Sequence, residues 1–302
     1  MYLPFVAAKG RPKMGLKPLP LSTWIEIDEA FVAELSLKAA LLTHHYEDVF
    51  AALPNTRSAQ QEILQLLIEH LLEQFPAVYR PLKAGIQNRK TRQTWQFSDF
   101  AEAPLDLAAR LVQEDLCLML PGQGYHLAAA SVCFPLRWSL RAKLGQPMRQ
   151  IHQQVPDYPQ RLADPVDGMF DRLRADFPGL RFNWTIVDSP ELYLAQSKRN
   201  IQFNPEITAR NAGEMLWLRV ERQTLRRLPL SQGILFTIRT YVYPLVQVVQ
   251  NPENAADLLG AIAAFTPDMQ IYKNLLPFNQ ALTGYLYSCM SRRASPNATV
   301  AV

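Results

Sequence analysis

Cysteine and histidine are the scarcest chemistry-bearing residues in this 302-residue chain, which has three cysteines (Cys117, Cys133, Cys289) and five histidines. Three thiols are too few for an iron–sulfur cluster held by four cysteines of one chain, and none falls at the paired spacing of a zinc module. An odd, unpaired set reads as reduced thiols, so a cytoplasmic location is expected. Long hydrophobic runs are missing too. No stretch approaches roughly 18 uninterrupted apolar residues, and the opening MYLPFVAAKGRPKMGLKPLPLSTW lacks the apolar segment of a signal peptide, so no membrane span and no leader are expected. Charge of one sign is also lacking: 31 Lys+Arg against 27 Asp+Glu leave a net +4, too weak a bias to point to a nucleic-acid partner. No GxGxxG occurs among the 12 glycines, which disfavours a doubly wound dinucleotide fold. A GxSxG elbow, an HExxH pair and a DxDxDG loop are absent as well.

What is present is a soluble-protein composition, 48% hydrophobic, arranged in three zones. Residues 1–107 read as an N-terminal helical region. Asp28 can cap a helix carrying Phe31, Leu35, Leu41 and Leu42 that ends near Phe50–Ala52, and Asn55 or Ser58 can start a second carrying Ile63, Leu64, Leu67 and Leu71. Residues 108–250 change to strand character. Leu116–Leu120 and Tyr125–Phe134 flank Pro121-Gly122-Gln123-Gly124, a hairpin signal, and Phe182–Val187, Leu216–Gln223 and Ile234–Val242 are rich in β-branched and aromatic residues. Residues 251–302 return to helix through Ala255–Phe265 and a short helix after Thr266-Pro267-Asp268, ending in a loose tail from 291. The three zones read together as one compact unit of α+β class, with a mainly antiparallel sheet of about five strands.

Three segments could carry chemistry. In Lys143–Pro159, His152 sits between Ile151 and Val155 on backbone stiffened by Pro147, Pro156 and Pro159. A neutral imidazole held rigidly suits a single axial iron ligand, although a turn-bonded structural histidine is the commoner use of such a residue. His126, within a strand, is the alternative ligand. In Leu216–Leu230, strand alternation puts Leu218, Val220, Arg222 and Thr224 on one face and Arg219, Glu221 and Gln223 on the other. Arg222 and Thr224 at the end of an apolar face suit a pocket mouth meeting an anion, with Arg226 and Arg227 just beyond. For Arg219, Arg226 and Arg227 a solvated strand end is the simpler expectation. In the third segment, Arg181, Asn183 and Thr185 share a face opposite Phe182 and Trp184, and Asn183 there must face solvent or orient a ligand. The adjacent His44-His45 cannot share a helix face, and Cys133 reads as an inert strand thiol.

Taken together, three strings carry a family resemblance. They are Val132-Cys133-Phe134-Pro135 with Trp138 and Lys143-Leu144-Gly145, then Ile151-His152 with Val155-Pro156, then Arg181, Asn183-Trp184 and Val220-Glu221-Arg222-Gln223-Thr224-Leu225-Arg226-Arg227-Leu228-Pro229. In that order the chain resembles the alpha-subunit-like family of haem-dependent oxidative N-demethylases over roughly residues 13 to 290. The resemblance implies a PAS-like antiparallel sheet carrying haem b, and oxygen-dependent removal of a methyl group from a small amine such as dimethylamine with formaldehyde released. It puts His152 at the iron and Arg222 near the haem propionates; Arg181 and Arg226 are expected to bind the cofactor as well, and Asn183, Glu221 and Thr224 to be catalytic. It also implies a separate reductase bearing FMN, NADPH and a [2Fe–2S] cluster, because this chain has no flavin or nicotinamide fingerprint. A haem- or ligand-binding sensor without turnover is the alternative.

Overall fold

A computed structural model describes residues 1–6, 16–122, 124–195 and 203–291. Ten strands are present among them: β1 (Lys17–Pro18), β2 (Phe50–Ala52), β3 (Tyr79–Leu82), β4 (Gly85–Asn88), β5 (Thr94–Gln96), β6 (Asp115–Gly122), β7 (Gly124–Ser131), β8 (Gly179–Val187), β9 (Trp217–Arg227) and β10 (Ile234–Pro244). Seven build one antiparallel sheet in the order β1-β8-β9-β10-β6-β7-β2, and β3, β4 and β5 form a separate three-stranded sheet. The five long strands of the large sheet, numbered by chain order, stand in space as 2-1-5-4-3. That is the PAS-like arrangement, and these are the five strands read from the sequence.

Both faces of the sheet are buried, and alternation along each strand decides which side chain meets which cover. One face, here the crossover face, carries Cys117, Met119, Tyr125, Leu225 and Ile234 against Tyr158, Ala163, Val166 and Phe170 of the segment that crosses from β7 to β8. The other, the terminal face, is covered from both chain ends. Leu116, Leu118 and Leu235 pack on the N-terminal helices Phe31–His44, Arg57–Gln74 and Pro104–Leu111. Trp184, Ile186, Leu218 and Val220 pack on the C-terminal helices Pro252–Ala263 and Asn279–Ser291. Each fully buried leucine or valine of this kind stabilises the fold by about 1.5–3 kcal/mol.

Several boundaries differ from the sequence reading for local reasons. The first helix begins at Phe31 after Ala30, not on an Asp28 cap, because the Asp28 carboxylate is taken up by Ala30 N, Gln113 and Arg239. Phe50–Ala52 is not a helix end but the edge strand β2, which pairs with Ser131 to Ala129 of β7. The second helix starts after Thr56, while Asn55 holds a left-handed turn at φ 64°. β9 runs on through Arg226 and Arg227, leaving only Leu228–Gly233 to connect it to β10. Arg227 fastens that extension, donating to the carbonyls of Leu173, Phe170 and Gln232 and to Tyr125 Oη. Two C-terminal helix starts follow the expected chemistry: Asn251 and Thr266 side chains accept from Glu253 N and Met269 N, with proline in the first turn. The expected loose tail beyond 291 and the turn residue Gln123 lie outside the described residues.

Candidate functional site

Strand parity divides the residues singled out in the sequence. On β9, Leu218 and Val220 belong to the core of the terminal face, so Arg222, Thr224 and Arg226 point the same way. Leu225 belongs to the crossover core, so Arg219, Glu221 and Gln223 point to that side. On β8, Thr185, Asn183 and Arg181 stand opposite Arg219, Glu221 and Gln223 and share their face.

The terminal-face residues are consumed by structure. Arg222 is 2% exposed. It donates to the carbonyls of Thr23 and Trp24, and its Nε lies 3.1 Å from Glu26 Oε1. Directly across the sheet is Arg239, fully buried and paired with Asp28 and Glu34 at 2.7 Å each. Like charges face to face need this acidic surround, which Glu26, Asp28 and Glu34 supply and the fully buried Glu114 completes; burial pushes the Glu114 carboxyl upward. The pocket-mouth role expected for Arg222 is thereby corrected: its fork clamps the chain at Thr23–Glu26. Thr224 is buried and shares a 2.6 Å hydroxyl contact with Thr237 across the strand pair. Arg226 stacks 4.4 Å over Trp24 on the same face, away from His152. His126 pairs with Leu120, whose side chain packs into the terminal core, so alternation turns His126 from the crossover face as well. Arg219 is no solvated strand end either: 1% exposed, it donates to the carbonyls of Phe134, Glu191 and Leu192.

The crossover face gathers the rest. Glu221 is half-buried, and its Oε2 accepts from Asn183 Nδ2 at 3.2 Å and Gln223 Nε2 at 2.8 Å. The Asn183 amide is oriented by Lys273 Nζ, 3.3 Å from Oδ1, so the nitrogen must face the carboxylate. Lys273 also donates to the Trp184 carbonyl, and its own carbonyl accepts from Thr185 Oγ1 at 3.0 Å. That anchors Tyr272 and Lys273 along the edge of β8. Burial and the Glu221 charge push the Tyr272 phenol up to about 12. Arg181, two residues before Asn183, makes no hydrogen bond and no ion pair among the described residues; burial pulls its pKa down while Glu221, Tyr158 and Tyr272 oppose. Tyr158 packs into the crossover core, and its buried hydroxyl has no hydrogen-bond partner among the described residues. Burial and Asp167 push that phenol up to about 12, with Arg181 close enough to act against them.

His152 stacks on Tyr158, centroids 4.6 Å apart and planes 20° from parallel. Its Nδ1 lies 3.1 Å from the Met148 carbonyl. A carbonyl only accepts, so Nδ1 carries a proton. His152, Arg181, Asn183 and Glu221 are therefore brought to one side of the sheet, with Tyr158 stacked on His152 and within electrostatic reach of Arg181. Sequence reasoning missed Tyr158, Tyr272, Lys273 and Gln223 as members of the site. The signal for Gln223 was its alternation with Glu221; for Tyr272 and Lys273, in a helix 50 residues on, no local signal exists. The other candidates stand apart. His70 is buried against Trp24 and Phe75 on the terminal side, and the three cysteines are buried thiols, Cys133 pushed up to about 12. A cavity of about 180 Å³ bounded by Val132, Pro135, Trp138, Leu140 and Tyr193 contains none of the clustered side chains and is smaller than the roughly 300 Å³ at which ligand pockets begin.

A sequence model of the haem-dependent oxidative N-demethylase, alpha subunit-like family matches residues 15–283. The chain belongs to that family. The name makes haem the group against which the demethylase-like site must be tested, and describes an alpha subunit, one part of a larger enzyme. No group of three or more His, Cys, Asp or Glu that could hold a metal occurs among the described residues; haem iron needs only one or two protein ligands. The Met148 carbonyl orients His152 through Nδ1, as a backbone carbonyl orients a ligating imidazole, and the Tyr158 ring stacked on it carries a buried hydroxyl with no hydrogen-bond partner among the described residues. An imidazole oriented in this way fits haem. No helix among the described residues is long and apolar enough to cross a membrane.

Proposed function

We propose that this chain is the haem-carrying subunit of an oxygen-dependent N-demethylase acting on a small methylated amine, with electrons supplied by a separate reductase. The observation that carries it is the crossover face of the PAS-like sheet, where a histidine oriented by a backbone carbonyl stacks on a buried phenol with no hydrogen-bond partner among the described residues, on the same side as a carboxylate held by two amides. Haem b at His152 would supply the iron at which dioxygen is activated. The overall change is oxidation of an N–CH3 group by O2 with two electrons and two protons, giving the demethylated amine, formaldehyde and water. Within it, Met148 O sets the His152 ring. Glu221, held by Asn183 and Gln223, receives the ammonium of the substrate and is placed to accept its proton. Lys273 fixes the Asn183 amide, and Tyr272 with Tyr158 walls the site with aromatic surface against water.

The test is an absorption spectrum of the protein produced with haem supplied, oxidised and then dithionite-reduced, followed by assay for formaldehyde with a methylated amine and a reducing system. A Soret band near one haem per chain that His152→Ala abolishes and His126→Ala leaves intact is the expected result. Haem bound equally by the His152→Ala protein would remove His152 as ligand. Haem bound with no formaldehyde from any amine would favour a sensor over an enzyme.

A further inference from the structure

The two charged groups of the site are not joined to each other. Arg181 and Glu221 stand diagonally across the β8–β9 pair, and no ion pair within 4 Å links them. Both hydrogen bonds accepted by Glu221 fall on Oε2; Oε1 accepts none among the described residues. Arg181 donates none, and the buried Tyr158 hydroxyl within its electrostatic reach donates none either. A half-buried guanidinium with no protein partner keeps its fork open for a planar carboxylate. The face therefore presents a cation with a hydroxyl at one end and an open carboxylate oxygen at the other, one diagonal apart.

We propose that this pair receives a zwitterion: a substrate bearing a carboxylate beside its methylated amine, of the N-methyl amino acid class. The carboxylate goes to Arg181 and Tyr158, and the ammonium to Glu221 Oε1. The methyl group in this statement rests on the demethylase reading; the zwitterion rests on the Arg181–Glu221 geometry alone. A simple dialkylamine satisfies Glu221 but leaves Arg181 and the Tyr158 hydroxyl as they are, so it forfeits the larger share of the available polar contacts. A second source of carboxylate is a haem propionate, and the experiment separates the two.

Calorimetric titration of the purified protein, both with and without haem, with N,N-dimethylglycine, N-methylglycine and dimethylamine decides the matter. The amino acids are expected to bind about tenfold or more tightly than dimethylamine, which is about 1.4 kcal/mol. Arg181→Gln should erase that preference without changing haem content, Arg181→Lys should restore part of it, and Glu221→Gln should weaken all three ligands. Dimethylamine binding as tightly as the amino acids overturns the proposal. So does an Arg181→Gln protein that loses haem, since the carboxylate is then the propionate. Because the haem-free titration is read separately, a chain that takes no haem yet keeps an Arg181-dependent preference defeats the demethylase reading and leaves this one standing.

Discussion

Arg222→Ala separates a cofactor contact from a structural clamp, and the size of its effect can be worked from the partners. The guanidinium is 2% exposed, and its loss removes an ion pair to Glu26 and donors to two backbone carbonyls. Breaking a buried ion pair by deleting one partner costs about 3–5 kcal/mol, most of it from the charge left behind. Two features pull the value to the low end. The Glu26 side chain is 26% exposed and keeps the hydroxyls of Tyr2 and Tyr241 as donors. Arg239 loses a like charge directly opposite. A loss of about 3 kcal/mol follows, or a fall of roughly 6 °C in Tm at about 2 °C per kcal/mol for a chain of this size. The assay is a urea unfolding curve beside a haem titration. A lowered midpoint with haem stoichiometry unchanged is expected. Loss of haem at an unchanged midpoint would refute the clamp and return Arg222 to the cofactor.

The remaining predictions concern pH and packing. Burial depresses His70 to about 4 from its usual 6.5, so the unfolded chain binds a proton that the native ring refuses; its stabilising contribution is full above pH 6.5 and declines as pH falls toward 4, by about 2 kcal/mol at pH 5. Asp115 works the other way, its carboxyl pushed up to about 6 by burial, so its contribution is full below about 3.8 and is lost as pH rises through 6. Replacing His70 by Phe should therefore abolish the loss of urea midpoint between pH 7 and 5; a variant as acid-sensitive as the parent would contradict the assignment. A Cβ at Gly213 would lie 2.2 Å from Tyr285 Oη, whereas one at Gly260 meets nothing within 4 Å. Gly213→Ala is expected to destabilise by about 1–3 kcal/mol through overpacking, and Gly260→Ala, exposed in the Pro252–Ala263 helix, to stabilise by up to about 1 kcal/mol. Equal midpoints for the two variants would show that the Tyr285 contact yields freely.

The five long strands were legible because each buries at least one face in apolar residues, and alternation or β-branching records that in the sequence. Phe50–Ala52 was not, since a three-residue edge strand following a helical turn carries too little pattern to separate from the helix it follows. The small β3–β5 sheet was hidden for a similar reason: its strands are three or four residues long and lie in a zone dominated by longer helical periodicity. For the site, alternation correctly divided β9 into two sets, but it could not say which set faces the crossover segment. That depends on where residues 148–172 fold, and nothing in Leu216–Leu230 encodes it. Arg222 was accordingly taken to a pocket mouth when its own face is sealed by Thr23–Glu26.

What distinguishes the two faces is how their polar groups end. On the terminal side three of the orphaned atoms, Trp24 Nε1, His70 Nε2 and Arg226 Nε, belong to groups already stacked on one another, with Arg226 4.4 Å above Trp24 and the His70 ring 5.2 Å from it. The cation there is spent on an aromatic face. On the crossover side Arg181 has neither a ring nor a hydrogen-bonding partner among the described residues, and the Tyr158 hydroxyl and Glu221 Oε1 nearby are equally unengaged. Each buried unmade bond costs on the order of 1–3 kcal/mol. Arg219, Arg222, Arg227 and Arg239 each find carbonyls or carboxylates within the chain. Arg181, within electrostatic reach of Tyr158 and Glu221 but bonded to neither, is then the exception, and exceptions to local consistency fall where a ligand completes the structure.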